Sequence, residues 1–187
     1  MMNKNIKQQL RSKYLQILKA IKPNDKKQWD QEIYQQFINS KYFTNNQVFA
    51  LYYSLPYEVN TIKIITALLA AKKKVALPRI NGNNLDFFYI NHLSDLVIDN
   101  QWKIYQPLTT SHNVNINDLD VIILPLVAFN HDYYRIGHGK GYYDHFLSDH
   151  NLKALKLVLA YQVQEISEKI EFVNNWDIAF DVLITNH

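Results

Sequence analysis

The segment RIGHGKGYYD, residues 135–144, combines the residue types that bind phosphate groups. It contains three of the four glycines in a chain of 187 residues, at alternate positions around Lys140. Glycine allows positive φ angles and a close approach of the backbone to a ligand, so alternate glycines can turn successive N–H groups toward one anion. Lys140 would add a full positive charge, and the planar guanidinium of Arg135 could bind a pair of phosphate oxygens. The segment therefore predicts a phosphate-binding loop.

The glycine spacing differs from the two most common nucleotide-binding patterns. A Rossmann fingerprint spaces its glycines differently, and a Walker loop requires Ser or Thr directly after its lysine, where this chain has Gly141. A glycine-rich turn that only connects a strand to a helix is the alternative interpretation. Because the other turns contain almost no glycine, the clustering favours a functional loop.

Strands and helices alternate along the chain and place this loop at the edge of a sheet. Apolar residues at helical spacing predict helices over residues 6–21, 29–37 and 58–74, and in YYDHFL after the loop. Short apolar runs predict buried strands at VFALYYS, KVALP, LDFFYI, DVIILP, LKLVLAY and DVLIT, with KVALP ending at Pro78. Apolar strands that alternate with helices indicate an α/β fold with a mostly parallel sheet covered on both faces. In such sheets ligands bind outside the carboxyl ends of strands, and the loop follows DVIILP.

The composition is that of one soluble globular domain over residues 1–187. Hydrophobic residues make up 48% of the chain and charged residues 20%, with no cysteine and a formal net charge of +3. The longest apolar run contains a proline and is too short to span a bilayer. The lack of an apolar leader and of cysteine predicts a cytoplasmic protein without disulfides and without a membrane partner. The small net charge gives no reason to expect nucleic acid as a partner and mildly favours anionic ligands.

A longer segment around the loop, LPLVAFNHDYYRIGHGKGYYDHFL, resembles the signature of the 5-formyltetrahydrofolate cyclo-ligase family, also known as 5,10-methenyltetrahydrofolate synthetases. KQQLR near the start and YYSLPYEVNT match the family in the expected order, and WDIAFDVLIT matches less closely. The resemblance thus extends from Lys7 to Thr185. It implies a three-layer α/β/α fold, and we expect a monomer.

The resemblance also implies an activity. Members of the family convert 5-formyltetrahydrofolate to 5,10-methenyltetrahydrofolate with ATP and Mg²⁺. In the implied reaction the γ-phosphoryl group activates the formyl oxygen, after which the N-10 nitrogen closes the ring and expels phosphate. ATP and Mg²⁺ are therefore the expected cofactors. The expected substrate is 5-formyltetrahydrofolate, with or without a polyglutamate tail.

Residues that match the family's motifs are expected to form the site. The resemblance implies that the catalytic residues are Lys140, Arg135 and Tyr142. It implies that ATP is bound by Lys7, Arg11, Arg135, Gly137, His138, Gly139, Lys140, Gly141, Tyr142 and Tyr143. It implies that the folate is bound by Tyr53, Glu58, His138 and Tyr142. The implied metal ligands are Asp144 and, by a looser match, Asp177.

Elementary chemistry supports these roles and also offers alternatives. A carboxylate can accept hydrogen bonds from the amide and amino groups of a pterin, which suits Glu58, and a hard oxygen donor such as Asp144 suits Mg²⁺. Either residue could instead be an acidic group favoured at the N-terminus of a helix. Lys7 and Arg11 are one turn apart on the first helix and could lie on its solvent face. Tyr142 could belong to the core under the helix that follows the loop.

Three residues depart from the family's pattern around the loop. Asn130 stands where the family has aspartate and Tyr133 where it has glycine, which predicts a different shape for the start of the loop. His138 replaces an arginine or a tyrosine. A histidine there could make phosphate affinity depend on pH near neutrality.

Two other functions stay open at this point. One is a binding module that keeps the fold and holds folate, nucleotide or RNA without turnover. The other is a related α/β enzyme acting on a sugar phosphate, which would have no need for Glu58. The presence of Lys7, Arg135, Lys140 and Asp144 together with Glu58 favours the cyclo-ligase, because a module released from catalysis need not keep all five groups.

Overall fold

The computed structural model describes residues 2–100, 104–108, 110–149, 152–167 and 171–187. The helices are α1 (Met2–Ala20), α2 (Pro23–Ile38), α3 (Lys41–Thr44), α4 (Thr61–Ala70) and α5 (Tyr142–Asp149). The strands are β1 (Val48–Ala50), β2 (Lys74–Asn81), β3 (Asn84–Ile90), β4 (Leu96–Ile98), β5 (Tyr105–Pro107), β6 (Val121–Leu124), β7 (Ala128–Phe129), β8 (Arg135–Ile136), β9 (Leu155–Ala160) and β10 (Val182–Thr185). Within these ranges no helix has the length and apolar character needed to cross a membrane.

Six of the strands form the central sheet, in the order β10–β9–β6–β1–β2–β3. The first five in this order run parallel, whereas β3 pairs with β2 in the antiparallel direction. Two short hairpins, β4 with β5 and β7 with β8, lie outside the central sheet. The predicted mostly parallel sheet is confirmed.

Helices cover both faces of the sheet, which confirms the three layers. In β6, Val121 and Ile123 pack into the core cluster that includes α1, α2 and α4, whereas Ile122 and Leu124 pack into the cluster that includes α5. All four side chains are fully buried. Burial on both faces explains why the strands are continuous apolar runs, since each such side chain contributes roughly 1.5–3 kcal/mol when it is removed from water.

Two of the strand predictions are wrong in their boundaries. KVALP does not end at Pro78, because β2 continues to Asn81. A proline is tolerated there because β1 pairs with β2 only as far as Ala76, and beyond that point β2 pairs with β3 alone. VFALYYS is a strand only over its first three residues. The chain leaves the sheet after Ala50, which frees the following tyrosines to line a cavity at this edge of the sheet.

The helix predicted over residues 58–74 is α4, which starts later and ends earlier than predicted. It begins at Thr61 because the Asn60 side chain accepts hydrogen bonds from the N–H groups of Ile62 and Lys63. Glu58 therefore lies in the loop before α4 and does not open the helix. The position of its side chain is therefore set by hydrogen bonds in that loop and not by the dipole of α4.

The glycine loop is preceded by a tight turn between β7 and β8. The Asn130 N–H donates to the Tyr134 carbonyl (3.0 Å), and the Asn130 Oδ1 accepts from the Tyr134 N–H (2.8 Å). Aspartate has the same acceptor oxygen, so Asn130 can take its place in this turn. Tyr133 has a φ of +64°, in the left-handed region that favours glycine. Neither departure from the family's pattern therefore requires a different backbone shape.

Tyr133 allows a test of this backbone conformation. The residue is 48% exposed, and its ring packs on Phe180 with the ring centroids 5.3 Å apart. We expect Tyr133→Gly to be more stable than Tyr133→Ala by about 1 kcal/mol, because both variants lose the ring and only alanine keeps the left-handed strain. Thermal unfolding should show a difference in midpoint of roughly 2–4 °C. Equal midpoints would contradict the left-handed conformation at this residue.

Candidate active site

A cavity of about 790 Å³ opens at the carboxyl ends of β1, β2 and β6. Tyr52 and Tyr53 follow β1, and Pro125 follows β6. The fold brings residues as distant in sequence as Lys7 and Asp177 to this one cavity. All the site residues implied by the family resemblance line it: Lys7, Arg11, Tyr53, Glu58, Arg135, Gly137, His138, Gly139, Lys140, Gly141, Tyr142, Tyr143, Asp144 and Asp177.

The glycine loop has positive φ angles at two of its three glycines. Gly139 and Gly141 have φ angles of +94° and +75°, whereas the φ of Gly137 is not positive. Helix α5 begins directly after Gly141, whose carbonyl accepts a hydrogen bond from the His145 N–H at 2.9 Å. The loop thus leads into a helix N-terminus, where unpaired N–H groups and the helix dipole favour an anion.

Arg11 of α1 supports the loop from one side. Its Nε donates to the Gly137 carbonyl at 2.8 Å. A Cβ atom added to Gly139 would lie 2.9 Å from Arg11 Cζ, so glycine is needed there for space as well as for its φ angle. Burial lowers the pKa of the Arg11 guanidinium, which stays cationic because arginine is not deprotonated in proteins.

Two of the other cations that line the cavity, Arg135 and Lys7, are each paired with an acidic side chain. The Arg135 side chain is only 3% exposed and donates to Asp144 Oδ1 at 2.8 Å and to the Ile178 carbonyl at 3.1 Å. The Lys7 ammonium donates to the two carboxylate oxygens of Asp177 at 2.6 and 2.5 Å. The two residues implied as metal ligands are therefore each paired with a residue implied as a phosphate ligand.

Asp144 is better placed than Asp177 to hold a metal ion. Across the described ranges its Oδ2 accepts no hydrogen bond, whereas both oxygens of Asp177 are engaged by Lys7 and one also by the Asn174 N–H. The described residues include no group of three or more His, Cys, Asp or Glu side chains that could hold a metal. Mg²⁺ is usually held by one or two carboxylates together with substrate phosphates and water, so Asp144 fits that ion.

Glu58 is a buried carboxylate of the cavity, with only 5% of its side chain exposed. Its Oε2 accepts from the Leu55 N–H at 2.7 Å, and its Oε1 lies 2.7 Å from His138 Nε2. A carboxylate has about four acceptor positions, so each oxygen can take a further hydrogen bond from a ligand. Through His138, the glycine loop contacts the residue implied to hold the folate.

Two residues that sequence reasoning missed hold the Glu58 segment in place. The buried Tyr161 hydroxyl donates to Asp30 Oδ1 at 2.6 Å and lies 3.2 Å from the Glu58 carbonyl oxygen. The same Asp30 oxygen accepts from the Asn60 N–H at 2.9 Å. Burial and the neighbouring Asp30 raise the pKa of Tyr161, so its hydroxyl stays protonated. No motif marks this network, because its members come from α2, the loop before α4 and the end of β9.

Tyrosines form much of the remaining wall. Tyr53 packs on Tyr105 with the ring centroids 4.6 Å apart. Burial and the nearby Glu58 raise the pKa of both Tyr52 and Tyr143, which therefore stay neutral phenols. In the part of the chain that the structure describes, the buried Tyr143 hydroxyl has no hydrogen-bond partner. A buried hydroxyl that is left unpaired costs free energy of folding.

The three-layer fold and the glycine loop at the edge of its sheet define an α/β protein with a cavity lined by cations and by a helix N-terminus. The sequence model of the 5-formyltetrahydrofolate cyclo-ligase family matches residues 3–186. The 5-formyltetrahydrofolate cyclo-ligase of Haemophilus influenzae is 30% identical over 188 residues, covering 98% of this chain and 100% of the relative. That of Escherichia coli K12 is 34% identical over 141 residues, covering 73% and 76% of the two chains.

Solved structures agree with this relationship. The NMR structure of Aquifex aeolicus 5,10-methenyltetrahydrofolate synthetase has a TM-score of 0.84 at 29% identity and covers 96% of this chain and 89% of that one. The 5,10-methenyltetrahydrofolate synthetase of Mycoplasma pneumoniae has a TM-score of 0.76 at 25% identity, covering 97% and 99%. The chain belongs to the 5-formyltetrahydrofolate cyclo-ligase family. It is an enzyme, a ligase of folate metabolism.

Proposed function

We propose that this chain converts 5-formyltetrahydrofolate to 5,10-methenyltetrahydrofolate, with ATP as phosphoryl donor and Mg²⁺ as metal ion, and releases ADP and phosphate. One observation carries the proposal: the glycine loop contacts residues assigned to both substrates. Its Gly137 carbonyl accepts from Arg11 at 2.8 Å, and its His138 ring lies 2.7 Å from Glu58. The γ-phosphoryl group and the formyl group can therefore be held next to each other over one loop.

The proposed reaction needs no covalent bond to the protein. The formyl oxygen attacks the γ-phosphorus and ADP leaves; the N-10 nitrogen then attacks the activated carbon, loses its proton, and phosphate leaves with the former formyl oxygen. Lys7, Arg11, Arg135 and Lys140 would neutralise the phosphates, and such stabilisation is normally the largest contribution to phosphoryl transfer. Tyr142, the first residue of α5, would help to orient the reacting groups.

The folate would lie against the tyrosine wall. Glu58 would accept hydrogen bonds from the pterin, and Tyr53 and Tyr105, whose rings are tilted by 39° at a centroid distance of 4.6 Å, offer aromatic faces to the ring system. A pterin bound to Glu58 Oε1 would lie beside His138, so the folate would be next to the phosphate-binding loop.

Asp144 is the proposed Mg²⁺ ligand. When bound, the ion would supply positive charge that offsets the negative charge of the ATP phosphates. Asp177 is more suited to orient Lys7, because both of its oxygens already accept from that ammonium. Phosphates that enter the cavity would compete with these carboxylates for Arg135 and Lys7.

Several features stay predictions from the sequence: the single domain over residues 1–187, the monomeric state, the cytoplasmic location, acceptance of a polyglutamate tail, and the lack of a nucleic-acid partner.

The direct test is to mix the purified protein with 5-formyltetrahydrofolate and Mg-ATP and to follow the near-ultraviolet absorbance of the methenyl product. We expect product that requires both ATP and Mg²⁺, with one phosphate released for each ring closed. Folded protein that binds folate and ADP but forms no product would overturn the catalytic proposal. That result would favour a binding module on the same fold.

Glu58→Gln tests the proposed folate contact. The substitution keeps the shape of the side chain and removes its charge, and hydrogen bonds to a charged group contribute about 1.5–3 kcal/mol, so we expect KM for 5-formyltetrahydrofolate to rise roughly 10- to 100-fold. KM for ATP should change little. Glu171→Gln is the matched control, because Glu171 is exposed and does not line the cavity. An unchanged folate KM in a folded Glu58→Gln protein would remove Glu58 from the site.

A further inference from the structure

Trp176 is the most exposed large hydrophobic residue among those described, and it lines the cavity. The residue is 68% exposed. Exposed aromatic residues on a protein surface are common, but this one lies at the rim of the cavity in which the nucleotide is proposed to bind. It is not among the residues to which the family resemblance implies a role.

The segment that carries Trp176 is held in a defined turn. The Asn174 N–H donates to Asp177 Oδ2 at 2.6 Å, and the Asp177 N–H donates to the Asn174 carbonyl at 3.0 Å. These two hydrogen bonds close a turn of four residues with Trp176 at its third position. A side chain presented by a closed turn loses less conformational entropy when it binds a ligand.

The same segment contacts two of the proposed phosphate-binding cations. Asp177 binds Lys7 through both oxygens, and the Ile178 carbonyl accepts from Arg135 at 3.1 Å. Trp176 is therefore close in sequence to the residues that contact both cations. A nucleotide with its phosphates on these cations carries its base one ribose away, and a base directed toward the rim would meet this indole.

We propose that Trp176 stacks on the base of the bound nucleotide. This inference rests on the proposed ATP-dependent function and adds a contact for the part of the nucleotide that the glycine loop does not bind. Indole is a large flat apolar surface, and base–aromatic stacking tolerates any base because every base has a π face. The contact adds affinity for a nucleoside phosphate over a bare polyphosphate and does not discriminate strongly between adenine and guanine.

The test compares ADP with inorganic tripolyphosphate, both measured by calorimetry against the wild type, Trp176→Ala and Trp176→Phe. We expect Trp176→Ala to bind ADP about tenfold more weakly and tripolyphosphate with unchanged affinity. Trp176→Phe should recover most of the ADP affinity because it keeps an aromatic face. Lys7→Ala, by contrast, should weaken the binding of both ligands.

The possible failures are distinguishable. Unchanged ADP affinity in Trp176→Ala overturns the stacking inference alone, as does an equal loss for ADP and tripolyphosphate. A wild-type protein that binds no ADP overturns the nucleotide-binding function, and the inference with it. Tryptophan emission gives a second reading: ADP should quench it in the wild type, and this quenching should be lost in Trp176→Phe, where Trp29 and Trp102 remain.

Discussion

Lys140→Ala is expected to lower kcat/KM of the cyclo-ligase reaction by about 10²–10³-fold while the protein stays folded. Lys140 lies between Gly139 and Gly141, lines the cavity and is exposed. Its charge would act on the γ-phosphoryl group as negative charge builds up on the β–γ bridging oxygen, which leaves as part of ADP. Removing such a preorganised charge affects the transition state more than the ground state, so we expect most of the loss in kcat.

The control for Lys140 is another exposed lysine that does not line the cavity. Lys27 of α2 meets both conditions, and Lys27→Ala should leave kcat and both KM values unchanged. The midpoint of thermal unfolding should be nearly the same for both variants, since exposed substitutions usually change stability by less than about 0.5 kcal/mol. A folded Lys140→Ala protein with wild-type activity would remove this lysine from the proposed chemistry.

Gly139→Ala is expected to raise KM for ATP by about 10- to 100-fold, through the displacement of Arg11. The added Cβ would lie 2.9 Å from Arg11 Cζ and 3.0 Å from Nη1. The guanidinium can move because it ends a flexible side chain, but it would then lose its hydrogen bond to the Gly137 carbonyl. Alanine at a φ of +94° also strains the loop that holds the phosphates.

Two comparisons separate the steric effect from the backbone effect. Gly82 has a φ of +61°, has open space where the methyl group of an alanine would lie, and does not line the cavity. Gly82→Ala should therefore cost about 1 kcal/mol of stability and leave the KM for ATP unchanged. In a double-mutant cycle, Gly139→Ala should add little to the KM of an Arg11→Ala protein. Full additivity in that cycle would contradict the displacement of Arg11.

Much of the fold could be predicted because it depends on local patterns. The continuous apolar run over β6 and the alternation of strands with helices indicated a parallel sheet with two covered faces, since both faces of a parallel strand must be buried. Boundaries were less predictable. Pro78 did not end β2 and Glu58 did not open α4, because the first depends on the length of the neighbouring strand and the second on the Asn60 cap.

The positions of the candidate site residues could be predicted only in part. The glycine loop was visible as a motif because its conformation requires glycine at Gly139 and Gly141. The pairing of Lys7 with Asp177 could not be predicted, since these residues are 170 positions apart and neither belongs to a local pattern that involves the other. The same holds for Asp30, whose hydrogen bonds to the Glu58 segment join two separate elements.

The sequence by itself determined the kind of fold, the position of the phosphate-binding loop and the membership of a family, because strand burial, helix spacing and glycine placement are all local properties of the chain. The tertiary structure alone decided which charges meet. It paired Arg135 with Asp144 and Lys7 with Asp177, joined His138 to Glu58, and presented Trp176 at the rim of the same cavity. These contacts depend on how the loops after β1, β6 and β9 converge once the sheet has formed, and hydrogen bonds and ion pairs across such distances carry no periodic signal in the sequence.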